Sequence, residues 1–267
     1  MMLADYHVHS DFSSDSRTPM HNMIEKAISM GLERICFTDH MDYDFPIQYK
    51  MLFEFDPEEY FRKITELSAL YPQINILKGI EIGMRPYLAK RFEELISTYS
   101  FDFVICSTHL VGDRDPYYKD FWENKTLHSG MKEYFQSILA NIEVYHDFDV
   151  YGHLDYMIRY APVKNKSIVY SEYQDLLDEI LKKLLSLGKG IEVNTSGFKY
   201  GLGHPNPHEE ILTRYLELGG EILTIGSDGH CPEHLGYDFD KIVPLLKSLG
   251  FRYYTIFENR KPQMLPL

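Results

Sequence analysis

Seven short apolar runs punctuate the chain, at Asp5 to His9, Arg34 to Thr38, Ile74 to Ile82, Phe103 to Ser107, Val150 to His153, Gly190 to Asn194 and Ile222 to Gly226. Runs of this kind suit parallel strands covered on both faces. Their starts lie about 30 to 45 residues apart, which is room for a strand and a crossover helix. The intervals carry helix signals. Thr18-Pro19 opens a helix that closes on Gly31, and Asp56-Pro57-Glu58-Glu59 opens another with Asp56 as N-cap and acids in the first turn. Ser171 to Leu187 places Leu176, Leu177, Ile180, Leu181, Leu184 and Leu185 at helical spacing and ends on Gly188. A last run, Tyr253 to Phe257, is either an eighth strand or an edge, because Asn259-Arg260-Lys261-Pro262 stops it.

Parallel strands each followed by a helix close most simply into a barrel, with the active site at the C-terminal strand ends. Polar residues of ligand type occur at nearly all of those ends: His7 and His9, His40, Glu81, His109, His153, then Asp228 and His230. An open sheet would use one crevice fed by a few strands. The distribution favours a barrel, and with no low-complexity linker to divide it, residues 1–267 read as a single domain.

Composition narrows the setting. A chain of 267 residues with 44% apolar content buries a sizeable core. Cys36, Cys106 and Cys231 lie far apart and form no CxxC pair, which argues against a disulfide framework or a thiolate zinc site and suits a reducing cytoplasm. The start, MMLADYHVHS, lacks a basic and apolar leader, and no apolar stretch approaches the roughly 20 residues that cross a bilayer. A net charge of −13 speaks against a nucleic-acid surface but leaves room for a small phosphate held by metals and a few local cations.

The gathered side chains ask for a metal. His7-Val8-His9 presents two rings on one face of an extended strand, Asp228-Gly229-His230 can reach in from another wall, and Glu81 has two oxygens with which to bridge two ions. Imidazole and carboxylate donors without thiolate suit Zn, Mn or Fe. Taken singly, an HxH pair or a Ser-Asp-Gly turn is ordinary structure; their joint occurrence at successive strand ends is not.

The ordered motifs D-Y-H-V-H-S-D-F-S-S-D near the start, T-D-H at 38–40, G-I-E at 79–81, S-T-H at 107–109, G-H-L-D at 152–155 and S-D-G-H at 227–230 span the chain. In them the sequence resembles the PHP (polymerase and histidinol phosphatase) family, in its histidinol-phosphatase branch. The resemblance implies a PHP fold, a distorted (β/α)7 TIM-like barrel, holding two or three divalent ions. It implies His7, His9, Glu81 and Asp228 around one ion, Glu81, His109 and His153 around another, and His40, His230 and Asp15 around a third, Asp15 standing where some relatives carry histidine. Three such ions would bring about +6, and three carboxylates with a hydroxide about −4, a balance suited to a phosphate dianion.

Phosphate chemistry also needs cations and a proton source. Arg17, Arg159 and Lys199 follow strand-end segments, with Arg17 and Arg159 the expected clamps, and Asp42, two residues past His40, is the expected acid. The implied substrate, L-histidinol phosphate, carries an ammonium and an imidazole, so carboxylates and aromatics should line its pocket. The loop after His40 offers Asp42, Tyr43, Asp44 and Phe45 as a lid, whereas the Gly201 to His208 loop is left outside the site. The competing readings are a phosphoesterase for nucleotides or other small phosphoesters and a metal-binding protein without turnover.

Overall fold

Strand β1 (Ala4–Val8) is buried over its whole length although it reads Ala-Asp-Tyr-His-Val, so its polar side chains are built into the interior. The computed structural model describes residues 4–164 and 166–267. After β1 come α1 (Met20–Ser29), β2 (Arg34–Phe37), the two-residue β3 (His40–Met41), α2 (Pro57–Leu70), β4 (Asn75–Gly83), α3 (Ala89–Thr98) and β5 (Phe103–Ser107). Then follow α4 (Lys119–Trp122), α5 (Leu127–Val144), β6 (Val150–Tyr151), α6 (Gln174–Ser186), β7 (Gly190–Asn194), α7 (Ser196–Lys199), α8 (Glu209–Glu217), β8 (Leu223–Gly226), α9 (Phe239–Leu249), β9 (Tyr253–Glu258) and β10 (Lys261–Pro266).

The strands pair in the order β1-β2-β4-β5-β6-β7-β8, every pair parallel, and β3 continues beyond β2 to pair with β4 in a register that sets His40 beside Glu81. The two ends of this sheet meet. His9 N donates to Gly229 O (2.9 Å) and Gly229 N to His7 O (3.3 Å), so the barrel is nearly closed by backbone just past β8. All seven expected runs are strands, two with unchanged bounds and the others shifted by one or two residues, and at His9 and His153 the run ends early because the histidine turns inward instead of continuing the ladder.

Helix signals act as expected. The Asp56 carboxylate accepts from Glu58 N (2.9 Å) and Glu59 N (3.5 Å), capping α2 behind Pro57. Leu177, Ile180, Leu181 and Leu184 of α6 are buried against the barrel, and its first turn tightens into a 310 segment at Tyr170–Glu172.

The last apolar run is not an eighth barrel strand. β9 pairs antiparallel with β10 through a two-residue turn in which Asn259 and Arg260 both have positive φ, 51° and 63°. This hairpin covers the N-terminal strand ends. Thr255 Oγ1 accepts from Leu223 N, Tyr6 Oη donates to Phe257 O, and Arg260 reaches Asp149 (2.5 Å) at the foot of β6. The floor of the barrel is thereby sealed, leaving the opposite mouth open to solvent. Among the described residues, no helix is long and apolar enough to cross a membrane.

Candidate metal centre

Each strand delivers its polar residue to that mouth. Glu81 lies within β4 with no exposed surface, and its two oxygens face different neighbours. Oε1 lies 3.1 Å from His109 Nε2 and 2.9 Å from His153 Nε2. Oε2 lies 3.2 Å from His7 Nε2, 3.6 Å from His9 Nε2 and 3.0 Å from His40 Nδ1. Ser107 Oγ donates to Oε1 (2.7 Å) and fixes the carboxylate plane.

Around this carboxylate, four sets of potential ligand atoms lie within 4.8 Å of one another: His7, His9 and Glu81; Glu81, His109 and His153; His9, His40 and His230; and His40, Asp42 and His109, the last drawing in the expected acid. Asp228 Oδ1 approaches His9 Nε2 (3.5 Å) and His230 Nδ1 (3.4 Å), while Asp15 Oδ2 approaches His230 Nε2 (3.1 Å) and His40 Nε2 (3.6 Å). All nine residues expected to hold metal therefore converge. Their grouping is tighter than three separate cages, since His9 stacks on His230 (4.1 Å) and lies 4.3 Å from His40, between the first and third sets.

Whether these residues fit divalent ions can be read from the far side of four of the rings. His7 Nδ1 donates to Glu192 Oε1 (2.5 Å), His109 Nδ1 to Asp42 Oδ2 (2.7 Å) and His230 Nδ1 to Asp228 O (3.1 Å). His9 Nδ1 donates to Ser13 Oγ (3.1 Å), which itself donates to Asp39 Oδ1 (2.7 Å). In the neutral ring each arrangement leaves Nε2 as a bare lone pair. Those lone pairs face one another and Glu81: His7 and His9 Nε2 are 3.0 Å apart, and Glu81 Oε2 is buried without a hydrogen-bond donor. Acceptors turned on acceptors are costly unless a cation sits between them, so the donor set fits divalent metal.

The electrostatics agree. Burial alone would raise the Glu81 carboxyl, but the protonated form of the His7, His109 and His40 rings holds it well below its ordinary value, and the facing carboxylates, against burial, hold those three rings above theirs, protons whose place a divalent ion would take. Asp228 is likewise held well below the carboxylate range, against its burial, by its contact with His9 Nε2 and the field of His7. Burial lowers His9, and neighbouring His230 and His40 lower it further. This is a cage of fixed anions demanding positive charge.

Two glycines make room for it. A Cβ on Gly226 would stand 2.3 Å from His7 Cβ and 2.8 Å from Glu192 Oε1, and one on Gly83 would stand 2.2 Å from Asp42 Oδ1. Neither position can carry a side chain without moving the site.

The expected clamps separate. Arg159 is in place: its guanidinium lines the cavity, stacks near Tyr160 (4.7 Å) and Tyr200 (4.4 Å), lies 3.8 Å from Asp228 Oδ2, and keeps Nε and one terminal nitrogen buried without an acceptor. Lys199 Nζ donates to Asp228 O (3.0 Å), behind the cage. Arg17 is exposed and outside the cavity wall. The hydroxyls of Ser16 (2.8 Å) and Thr18 (3.0 Å) on either side of it both bond His230 O, which turns the intervening side chain outward.

The loop after His40 is also only half as expected. Asp42 and Phe45 line the cavity, but Asp44 pairs with Arg91 (3.1 Å) and Tyr43 packs beneath the same guanidinium (3.4 Å), both away from the mouth. The rest of the wall, about 420 Å3 in volume, includes Tyr117, Tyr118, Tyr156, Tyr160 and Asp115. His204 and His208 lie outside it, lining a separate cleft.

Sequence reading passed over Glu192 and Asp115. Glu192 had a signal, as the lone charge in the middle of the run Gly190 to Asn194, and the structure buries it. Asp115 had none, sitting in the polar stretch G-D-R-D-P that reads as ordinary loop.

With this geometry in view, the likenesses to known proteins gain meaning. Residues 5–196 match the PHP domain family. The chain is 34% identical to a histidinol-phosphatase of Lactococcus lactis subsp. lactis (strain IL1403), over 98% of this chain and 96% of that protein. A crystal structure of histidinol phosphate phosphatase from Lactococcus lactis subsp. lactis Il1403, complexed with zinc, L-histidinol and phosphate, superposes with a TM-score of 0.91 over 97% of this chain and 98% of that one.

Proposed function

This chain belongs to the PHP domain family, and from that premise we propose that it is a metal-dependent phosphomonoesterase hydrolysing L-histidinol phosphate to L-histidinol and phosphate, in histidine biosynthesis. The observation that carries the reading is the division of the Glu81 carboxylate, one oxygen toward His109 and His153, the other toward His7, His9 and His40. A carboxylate so placed suits two ions side by side, the arrangement that phosphoester hydrolysis uses.

We assign His7, His9, Glu81 and Asp228 to one ion, Glu81, His109 and His153 to a second, and His40, His230 and Asp15 to a third, with Zn, Mn or Fe as occupants. The chemistry such ions supply is Lewis acidity, which neutralises phosphoryl charge and acidifies water. The chain's own groups do the rest. Arg159, with buried donors lacking acceptors, holds the phosphate; Lys199 adds positive potential behind Asp228. Asp42 is the assigned proton donor to the departing alkoxide, since it lines the cavity and His109 Nδ1 fixes its Oδ2. The partner is a small phosphomonoester, and the setting is the cytoplasm, supported by three free cysteines.

Exhaustive chelation should abolish phosphate release from histidinol phosphate, and Zn2+ or Mn2+ should restore it. In a panel with mononucleotides and p-nitrophenyl phosphate, histidinol phosphate should be preferred by at least about tenfold in kcat/KM. Equal rates across the panel would remove the substrate assignment, and full activity after chelation would remove the metal.

A further inference from the structure

Five carboxylates line the cavity: Asp15, Asp42, Glu81, Asp115 and Asp228. Four are committed. Asp15 meets His230 and His40, Asp42 meets His109, Glu81 meets five rings, and Asp228 meets His9, His230 and Arg159. Asp115 stands apart. One of its oxygens accepts from Tyr117 N (2.8 Å), its own N donates to Tyr49 Oη (3.2 Å), and among the described residues it makes no ion pair.

Its surroundings make that costly. Tyr117, Tyr118, Tyr160 and Phe45 share the wall with it, and burial pushes its carboxyl up to about 6. The field of His109 and of Arg159 opposes that rise, and that of Asp42 adds to it, all three lining the same cavity. A solvent-withdrawn carboxylate without a cation, held rigidly by a backbone N–H and facing a binding cavity, is a receptor for a cation that arrives with the ligand.

Taking histidinol phosphate as the substrate, we propose that Asp115 is the specificity-determining residue that pairs with the substrate's ammonium group, the aromatic wall beyond it taking the imidazole. The substrate's own order matches the wall. Its ammonium lies between the phosphoester and the ring, and Asp115 shares one cavity with the cage and with the tyrosines. Asp44, spent on Arg91 and outside the cavity wall, has no part in reading that charge.

Asp115→Asn keeps the shape and the bond from Tyr117 N but removes the charge. Against histidinol phosphate its kcat/KM should fall by about 10- to 100-fold, mostly through KM. Phosphoethanolamine, which keeps the ammonium and lacks the imidazole, should lose a similar factor, whereas p-nitrophenyl phosphate should stay within about threefold of wild type. L-Histidinol as inhibitor should weaken, and inorganic phosphate should not. Equal losses on charged and uncharged substrates, or none on either, would overturn the assignment. Loss on histidinol phosphate alone would move the contact from the ammonium to the ring and overturn it too. A wild-type enzyme that fails to prefer histidinol phosphate would instead sink the substrate reading on which this inference rests, and that result is read before any variant is made.

Discussion

Replacing Glu192 by Gln tests whether the rings are held for metal. Glu192 is 1% exposed; its Oε1 accepts from His7 Nδ1 (2.5 Å), while Oε2 accepts from His153 N (2.9 Å) and Asn194 Nδ2 (3.3 Å). Both oxygens thus face donors only. Glutamine has the same shape but must turn its NH2 toward one set. Turned toward His7, it forces Nδ1 to accept, which moves the ring proton to Nε2 and removes that ligand atom. Turned the other way, it sets a donor against His153 N and Asn194 Nδ2 and strains the segment that carries His153. Loss of such an outer partner costs about 10- to 100-fold in metal affinity, or roughly 1.4 to 2.7 kcal/mol. A buried unmatched donor costs a further ~1 to 3 kcal/mol of folding stability. The assay is metal content against graded chelator, with kcat measured at saturating metal and the thermal midpoint taken on the same samples. Excess metal should restore most of kcat. A folded Glu192→Gln protein that retains its ions to within twofold of wild type would refute the reasoning.

Arg159→Met, which keeps much of the packing beside Tyr160 and Tyr200 but removes the donors, should raise KM for phosphoesters and the inhibition constant of inorganic phosphate by at least about tenfold; unchanged phosphate inhibition would free Arg159 of that role. Arg17→Ala, by contrast, should leave kcat/KM within about twofold, because the side chain is exposed outside the wall. Gly83→Ala should drive a methyl into the Asp42 carboxylate and cost activity by at least about tenfold while the far-UV spectrum stays native; wild-type kinetics would show that Asp42 can move without consequence. Asp178 accepts from Arg214 through two nitrogens (2.7 and 2.8 Å), which holds its carboxyl below the ordinary range. A group depressed on folding stabilises above its unfolded pKa and loses that stabilisation as pH falls toward its folded one. Asp178→Asn should therefore cost ~1 to 3 kcal/mol in urea unfolding at pH 7, and the gap to wild type should narrow only below about pH 4. A gap that is constant down to pH 3 would contradict this.

Strand periodicity and residue chemistry were enough to define much of this molecule. The seven apolar runs are the seven barrel strands, and their polar terminal residues converge, because a parallel βα repeat must bring its C-terminal strand ends to one mouth. Eight of the nine expected ligands were legible for that reason, topology turning sequence order into a ring of side chains, whereas Asp15 came from the family resemblance alone. What chain order does not contain is direction within a loop and the pairing of groups across the barrel. Arg17 faces out because Ser16 and Thr18 are both tied to His230 O. Asp44 is consumed by Arg91, and Asp115 comes to line the cavity from a stretch with no pattern. Glu192 announced itself as a buried charge, but its partner, His7, lies 185 positions away along the chain. The run Tyr253 to Phe257 reads as an eighth strand or an edge, yet it floors the barrel, since the turn at Asn259-Arg260 lets β9 satisfy its backbone on β10 rather than on β8. Local sequence fixes which elements form and which atoms can bind; only the packed structure decides which of those atoms are already bonded to each other and which are left for a ligand.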